Sequence, residues 1–416
     1  MNEAPRLRTG STPTIRAAYR VALVHSFYSS RQPSGENAAV LDQAEALRAA
    51  GHEVTLIAAH TDTLETERGY ALRAVVRVAT GLGRSPLADL RRFRPDVVHV
   101  HNLFPNFGTD WLRRWPGALV ATLHNYRPAC AAATLFREGK MCTACPDGAR
   151  WTALRHGCYR ASRGATLPLA WAGRRGAAAH PLLHRSERLV TLSERSRDLY
   201  LRFGVPSQKL ALVPNFVDPG RPAGPEDPTS VTPGAAARWV YAGRLSEEKG
   251  ILALLRSWPE SELLDVIGSG PLESACRAVA PGGVSLLGTL SRQEIAARLP
   301  GYTGLVFPSV WPEPATALVC QEALAAGVPV LALEGSAAAD SVRRDATGAV
   351  YGGAAELPHA LAAARERFPL LRERCRRVHA ERYSVRSWTV GIEAVYAQAL
   401  AQAARRPAAG VAEPSC

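Results

Sequence analysis

Lysine is nearly absent from this 416-residue chain: Lys140, Lys209 and Lys249 stand alone, so a Lys+Arg total of 50 is almost entirely arginine. No stretch reaches the ~18 uncharged apolar residues that a transmembrane helix needs. Residues 1–17 lack the apolar core of a signal peptide. Those two absences lead to the expectation of a cytoplasmic protein, with peripheral attachment to the inner face of a membrane as the one membrane option kept. Eight cysteines are too few to build a chain of this length on disulfides. Apolar residues are not scarce, and a 47% hydrophobic share excludes a wholly disordered or collagen-like chain. The excess is of positive charge, 50 basic against 37 acidic residues for a net +13. A field of that sign attracts nucleic acid, acidic lipid or phosphorylated metabolites, although over most of the chain a solvated arginine-rich surface accounts for it.

Short apolar runs alternate with longer helical patterns, the signature of parallel α/β architecture. Strands are expected at Arg20–Ser26, His52–Ala59, Asp96–Asn102, Gly117–Asn125, Arg188–Ser193 and Leu210–Pro214. A second set is expected at Trp239–Ala242, Leu264–Ile267, Val284–Leu287, Gly304–Phe307 and Val328–Leu333. Runs such as VALV and DVVHV are apolar on consecutive residues, which fits strands buried on both faces. Helices are expected from Glu36 to Ala50, ended by Gly51, from about Glu248, over Thr316–Ala326, and over Ser384–Ala404. Between Asp218 and Arg238 a Pro/Gly/Ser-rich stretch cannot bury a core and reads as a linker.

The expectation is therefore two doubly wound, Rossmann-like domains facing across a cleft. The first spans 18–217 with a Cys-rich insertion at 126–160, and the second spans 238–383 after a linker at 218–237. A helix at 384–405 crosses back to the first domain, and the tails 1–17 and 406–416 are expected to be disordered. In such sheets ligands bind at the carboxyl ends of strands, where loops meet helix N-termini.

Two segments fall at such ends. In Tyr241–Gly250 (YAGRLSEEKG) Gly243 permits a tight turn, Arg244 offers a forked donor and Lys249 a point charge near a helix start, a combination suited to a diphosphate. In Pro308–Gly327 (PSVWPEPATALVCQEALAAG) Glu313 sits in the loop after an apolar strand and Glu322 on the helix that follows. A carboxylate accepts from two vicinal hydroxyls at once, so this pair points to sugar and ribose recognition.

The order GRLSEEKG, DVIGSGP, LLGTLSRQEI and then the Glu-bearing block resembles the nucleotide-sugar domain of retaining family 4 glycosyltransferases of the GT-B fold. HSFYSSRQPSGEN, DVVHVHN, TLHN, LVTLSE and PNFVD match the first half of that family, and the resemblance covers about Arg20 to Leu400. It implies transfer of a sugar from a UDP- or GDP-linked donor to a hydroxyl acceptor, with retention and with no cofactor required. It also implies that Arg244 and Lys249 hold the donor diphosphate, that Glu322 binds the ribose and that Glu313 contacts the transferred sugar. Gly35 falls in the glycine loop that approaches the donor phosphates, and His124 matches the histidine near the reacting centre. His101 lies beside it on the acceptor side, and His99 is expected to be structural. The acceptor could be lipid-linked. One departure stands out: eight residues, not seven, separate Glu313 from Glu322, so the loop must absorb the extra residue.

Cys130, Cys142, Cys145 and Cys158 in the insertion have the Cys-x2-Cys core and flanks of a four-thiolate zinc site. They are an expected structural Zn2+ site with no catalytic role, and His156 could replace one thiolate. Free thiols or disulfides are the alternative. Basic amphipathic stretches at Leu154–Arg185 and Arg365–Arg382 are more often solvated helix faces, although the first could rest on an anionic membrane. Three rival readings exist: a zinc-containing nucleic-acid-binding protein, a GT-B epimerase, and an inactive GT-B scaffold. The first leaves the acidic pair and the two-domain rhythm unexplained, and no specific nucleic acid partner is expected.

Overall fold

The computed structural model describes residues 18–27, 35–218 and 237–406. The expected tail at 1–17, nearly all of the expected tail at 406–416, most of the expected linker, and Pro33 and Ser34 of the first loop lie outside those residues.

Six parallel strands form the first sheet, in the order β2-β1-β3-β4-β7-β8. They are β1 (Arg20–Phe27), β2 (Glu53–His60), β3 (Val97–Asn102), β4 (Ala118–Thr122), β7 (Arg188–Thr191) and β8 (Leu210–Leu212). Between β4 and β7 the insertion forms a small antiparallel hairpin of β5 (Phe136–Arg137) and β6 (Lys140–Met141). The second sheet has six parallel strands in the order β11-β10-β9-β12-β13-β14. These are β9 (Arg238–Ala242), β10 (Leu263–Ile267), β11 (Val284–Gly288), β12 (Gly304–Phe307), β13 (Val330–Leu333) and β14 (Gly348–Tyr351).

Every residue of β3, β4 and β12 is buried, as the unbroken apolar runs require of central parallel strands covered on both faces. Strand β14 was not anticipated, because Gly348–Tyr351 is too short and too small-residued to stand out from its surroundings.

The last helix, Val385–Ala404, is capped by Ser384, whose hydroxyl accepts from the Ser387 amide. It carries Trp388, Ile392, Val395 and Tyr396 into the core of the first sheet, against Val21, Leu23, Val97 and Val120. The chain thus returns from the second half to cover the first.

The second core is organised around Trp239 on β9, fully buried, with its indole N–H donating to Glu262 at 3.0 Å and its ring 5.8 Å from Phe368. Gly304 of β12 is required beside it, since a Cβ there would come within 2.6 Å of Trp239 and 2.7 Å of Phe368. Trp239→Ala is expected to destabilise the second half by ~3–5 kcal/mol through the cavity left behind, read as a lowered urea midpoint for that half.

Candidate functional site

The carboxyl ends of β1, β3 and β4 bring His25, His101 and His124 together. His101 Nδ1 lies 3.0 Å from His124 Nε2, so one ring donates to the other. His25 Nε2 donates to Asn37 Oδ1 at 2.9 Å. His99 is held between Tyr396 at 2.8 Å and Thr122 at 2.7 Å, a packed structural residue as expected. Burial depresses all four: His25 to about 4, His99 and His124 to about 3, and His101 well below its ordinary value. At neutral pH the cluster is uncharged and works through hydrogen bonds. His101 Nε2 is buried without a protein partner, so a donor or acceptor remains to be met there.

Beside them stands a carboxyl that sequence reasoning missed. Glu36 opens the helix Gly35–Ala49 and accepts from Asn125 Nδ2 at 3.1 Å, while its Oε1 is buried with no partner. Burial raises its pKa to about 7, against the lowering effect of Asn125, Asn102 and Arg127. A glutamate in a first helical turn is ordinarily explained by the helix dipole, which hides this one in the sequence. Its neighbour Gly35 faces the second half: a Cβ there would lie 3.7 Å from Leu318 Cδ1.

At the carboxyl edge of the second sheet, β9 leads through Gly243 to Arg244. The Arg244 side chain is exposed and makes no ion pair among the described residues. The expected helix from Glu248 is corrected here. Glu247–Lys249 is a single 3-10 turn, and the α-helix starts at Ile251, after Gly250 at φ 70. Gly250 is packed onto the Pro308 carbonyl, where a Cβ would collide, so the turn is pinned to the loop that carries Glu313.

Lys249 Nζ is paired with Glu313 Oε1 and sits 5.0 Å from the Trp311 ring. Glu313 is only 3% exposed and its Oε2 has no partner. The sequence treats these two residues as separate binders of phosphate and sugar, whereas the structure couples them.

Glu322 lies on the helix Leu318–Ala325, which begins two residues later than expected. Residues 314–317 before it are not helical. Burial raises the Glu322 pKa, opposed by Arg292. Arg292 donates from Nε to Glu322 at 3.4 Å and from Nη1 to Asp42 at 2.9 Å, spanning the two halves. The Glu313 loop is tied to the first half as well: Trp311 Nε1 donates to the Thr134 carbonyl at 2.6 Å, and Ser193 Oγ to the Pro314 carbonyl at 2.9 Å.

Among the described residues no group of three or more His, Cys, Asp or Glu side chains is set to hold a metal ion. Cys130, Cys142, Cys145 and Cys158 are half-buried free thiols. They lie near enough for their charges to interact, and burial first, then the other three, pushes Cys145 up to about 11. Zn2+ takes the thiolate and releases its proton, so these four remain the residues that would hold the expected ion, although among the described residues they are not gathered into a metal-binding group. His156 lies against Glu138 at 4.0 Å.

Two family models match successive parts of the chain. One, described as Glycosyltransferase Family 4, covers residues 33–221, and the other, described as Glycosyl transferases group 1, covers 236–369. The chain belongs to the family 4 glycosyltransferases. Its two parallel sheets are those of the GT-B fold.

The glycosyltransferase is similar in structure to sucrose-phosphate synthase from Thermosynechococcus elongatus, with a TM-score of 0.65 at 17% identity over 93% of this chain and 100% of that one. A glycosyltransferase from Rickettsia africae gives 0.61 at 12% over 92% and 99%. HepE from Anabaena, solved with UDP-glucose, gives 0.57 at 16% over 92% and 100%. Among curated proteins none matches the chain.

Glu36 yields a pH prediction for the glycosyltransferase. Its folded pKa is raised from 4.5 to about 7, so the folded state holds a proton that the unfolded chain gives up. The stability from that proton is present below 4.5 and lost as the pH rises through about 7. Glu36→Gln removes the loss. Its melting temperature should exceed the wild type's at pH 8 by ~3 °C or more, and the gap should close towards pH 4 in a calorimetric scan.

Proposed function

We propose that this glycosyltransferase moves a sugar from a UDP- or GDP-linked donor to a hydroxyl acceptor with retention of anomeric configuration, in glycan, polysaccharide or glycoconjugate biosynthesis. The observation that carries the reading is the edge of the second sheet. There Arg244, a guanidinium without an ion pair among the described residues, precedes the Lys249–Glu313 pair on a loop bound to the first half. HepE, which resembles this chain in fold, was solved with UDP and with UDP-glucose.

In the proposed step the bond from the anomeric carbon to the diphosphate oxygen breaks, and the acceptor oxygen bonds to the same face. The hydroxyl proton passes to a phosphate oxygen of the leaving group. Negative charge grows on the diphosphate, and Arg244 and Lys249 stabilise it. Gly35, without a side chain, lets the first half approach those phosphates. Glu313, held by Lys249, accepts from sugar hydroxyls with its unpartnered Oε2, and Glu322 accepts from the ribose. The neutral His101–His124 pair orients the acceptor hydroxyl by hydrogen bonding and brings no charge.

Donor binding is tested by a thermal-shift screen against UDP, GDP and their sugars, where a bound donor raises the melting temperature by mass action. Arg244→Ala should lower kcat by ~10²–10³ with an unchanged melting temperature, since its exposed side chain makes no ion pair among the described residues. Lys249→Ala should lower kcat comparably and also lower the melting temperature, because it leaves the Glu313 carboxylate buried and unpaired. Normal turnover in both variants would defeat the reading.

No helix among the described residues is long and apolar enough to cross a membrane. A peripheral contact is supported at the helices Tyr70–Thr80 and Arg163–Ala172, which pack together. They leave Leu72, Val75, Val76, Leu167 and Trp171 exposed among Arg73, Arg163 and Arg174. An apolar face rimmed by arginine suits an anionic bilayer. The full chain should co-sediment with phosphatidylglycerol vesicles more than with phosphatidylcholine vesicles, and Trp171→Asp should reduce that binding several-fold.

A further inference from the structure

A cavity of about 120 Å³ opens beside His101 and His124 in the first half. Its walls are mainly apolar: Leu103, Phe104, Phe107, Leu123, Leu169 and Leu182 line it. The polar character of the lining is one-sided. Arg77, Arg127 and Arg150 are present, and no aspartate or glutamate is.

None of these arginines forms an ion pair with a carboxylate among the described residues. Arg77 is 8% exposed and donates from Nη1 to the Pro105 carbonyl at 2.9 Å, while its Nε is buried without a partner. Arg127 donates to the Ala131 carbonyl and lies over the Phe104 ring at 4.2 Å and the Tyr159 ring at 5.3 Å, again with a buried, unpartnered Nε. The Arg150 guanidinium rests on Gly176, where any Cβ would collide with it.

Arg77 is withdrawn from water with no carboxylate ion pair among the described residues, which strengthens its grip on an entering anion. Arg127, within the field of Glu36, and Arg150 are half-buried and add their charge from the cavity rim. Apolar walls alone would select a neutral ring or alkyl chain, and arginines alone would select any small anion. We propose that this cavity receives an anionic amphiphile as the acceptor: an apolar body against the leucine and phenylalanine walls, with a phosphate or carboxylate met by Arg77, Arg127 and Arg150. This inference rests on the glycosyltransferase reading and names the acceptor class for it.

The test is calorimetric titration of the full chain, with UDP saturating so that the donor diphosphate site is filled. The probes are geranyl diphosphate and 4-phenylbutyrate, their neutral counterparts geraniol and 4-phenylbutanol, and inorganic pyrophosphate. At least one amphiphilic anion should bind about tenfold tighter than both its neutral counterpart and pyrophosphate. Whichever anion does so assigns the acceptor's charged group to a diphosphate or a carboxylate.

Arg150→Ala, at a half-exposed position where misfolding is least expected, should erase that tenfold preference. Arg150→Lys should restore part of it. Equal binding of charged and neutral probes, or a preference that survives Arg150→Ala, overturns the inference even where UDP binds. Failure of UDP and of every nucleotide sugar to bind overturns the donor reading instead.

Discussion

A parallel strand delivers its carboxyl end to one edge of its sheet, and both six-stranded sheets here are parallel throughout. Every loop that bears a candidate residue is therefore forced to one of two edges. The histidines follow β1, β3 and β4, Arg244 follows β9, and Glu313 follows β12. What remains for side chains to decide is how those edges meet. Trp311 on Thr134, Ser193 on Pro314, and Arg292 between Asp42 and Glu322 join them.

The electrostatics of the two edges differ in kind. On the first, burial strips four histidines of their protons and drives Glu36 towards its neutral form. The four histidines thus stand together without formal charge, beside a glutamate that titrates near neutrality. On the second, charge is kept and paired, as in Lys249 with Glu313. The proposed reaction assigns orientation of a hydroxyl to the hydrogen-bonding edge and stabilisation of a departing diphosphate to the charged one.

Most of the fold was legible because buried parallel strands write themselves as consecutive apolar residues. DVVHVHN and RVALVHS are strands within a residue or so of the expected bounds, and Gly304–Phe307 matches outright. Gly348–Tyr351 was not legible, nor was the helix Tyr70–Thr80, whose apolar residues face outward as often as inward. Motif residues could be named from their place after strands, but pairings could not. Nothing in the spacing says that Lys249 reaches Glu313 across 64 positions, or that Gly250 must hug Pro308. The helix start was misplaced because Glu248 looks like a first-turn acid while Gly250, at positive φ, breaks the run just after it. The cysteines have a ligand-like order in sequence, yet their geometry depends on a loop that periodicity does not describe.

The crossing of the final helix has a practical consequence. Trp388, Ile392 and Tyr396 complete a core that belongs to the opposite end of the chain, and His99 finds its phenol partner there. A chimera that exchanges the second half for another enzyme's cannot be spliced at the obvious seam before β9 alone. It needs a second junction near Ser384, so that the native closing segment is returned to the lobe it seals.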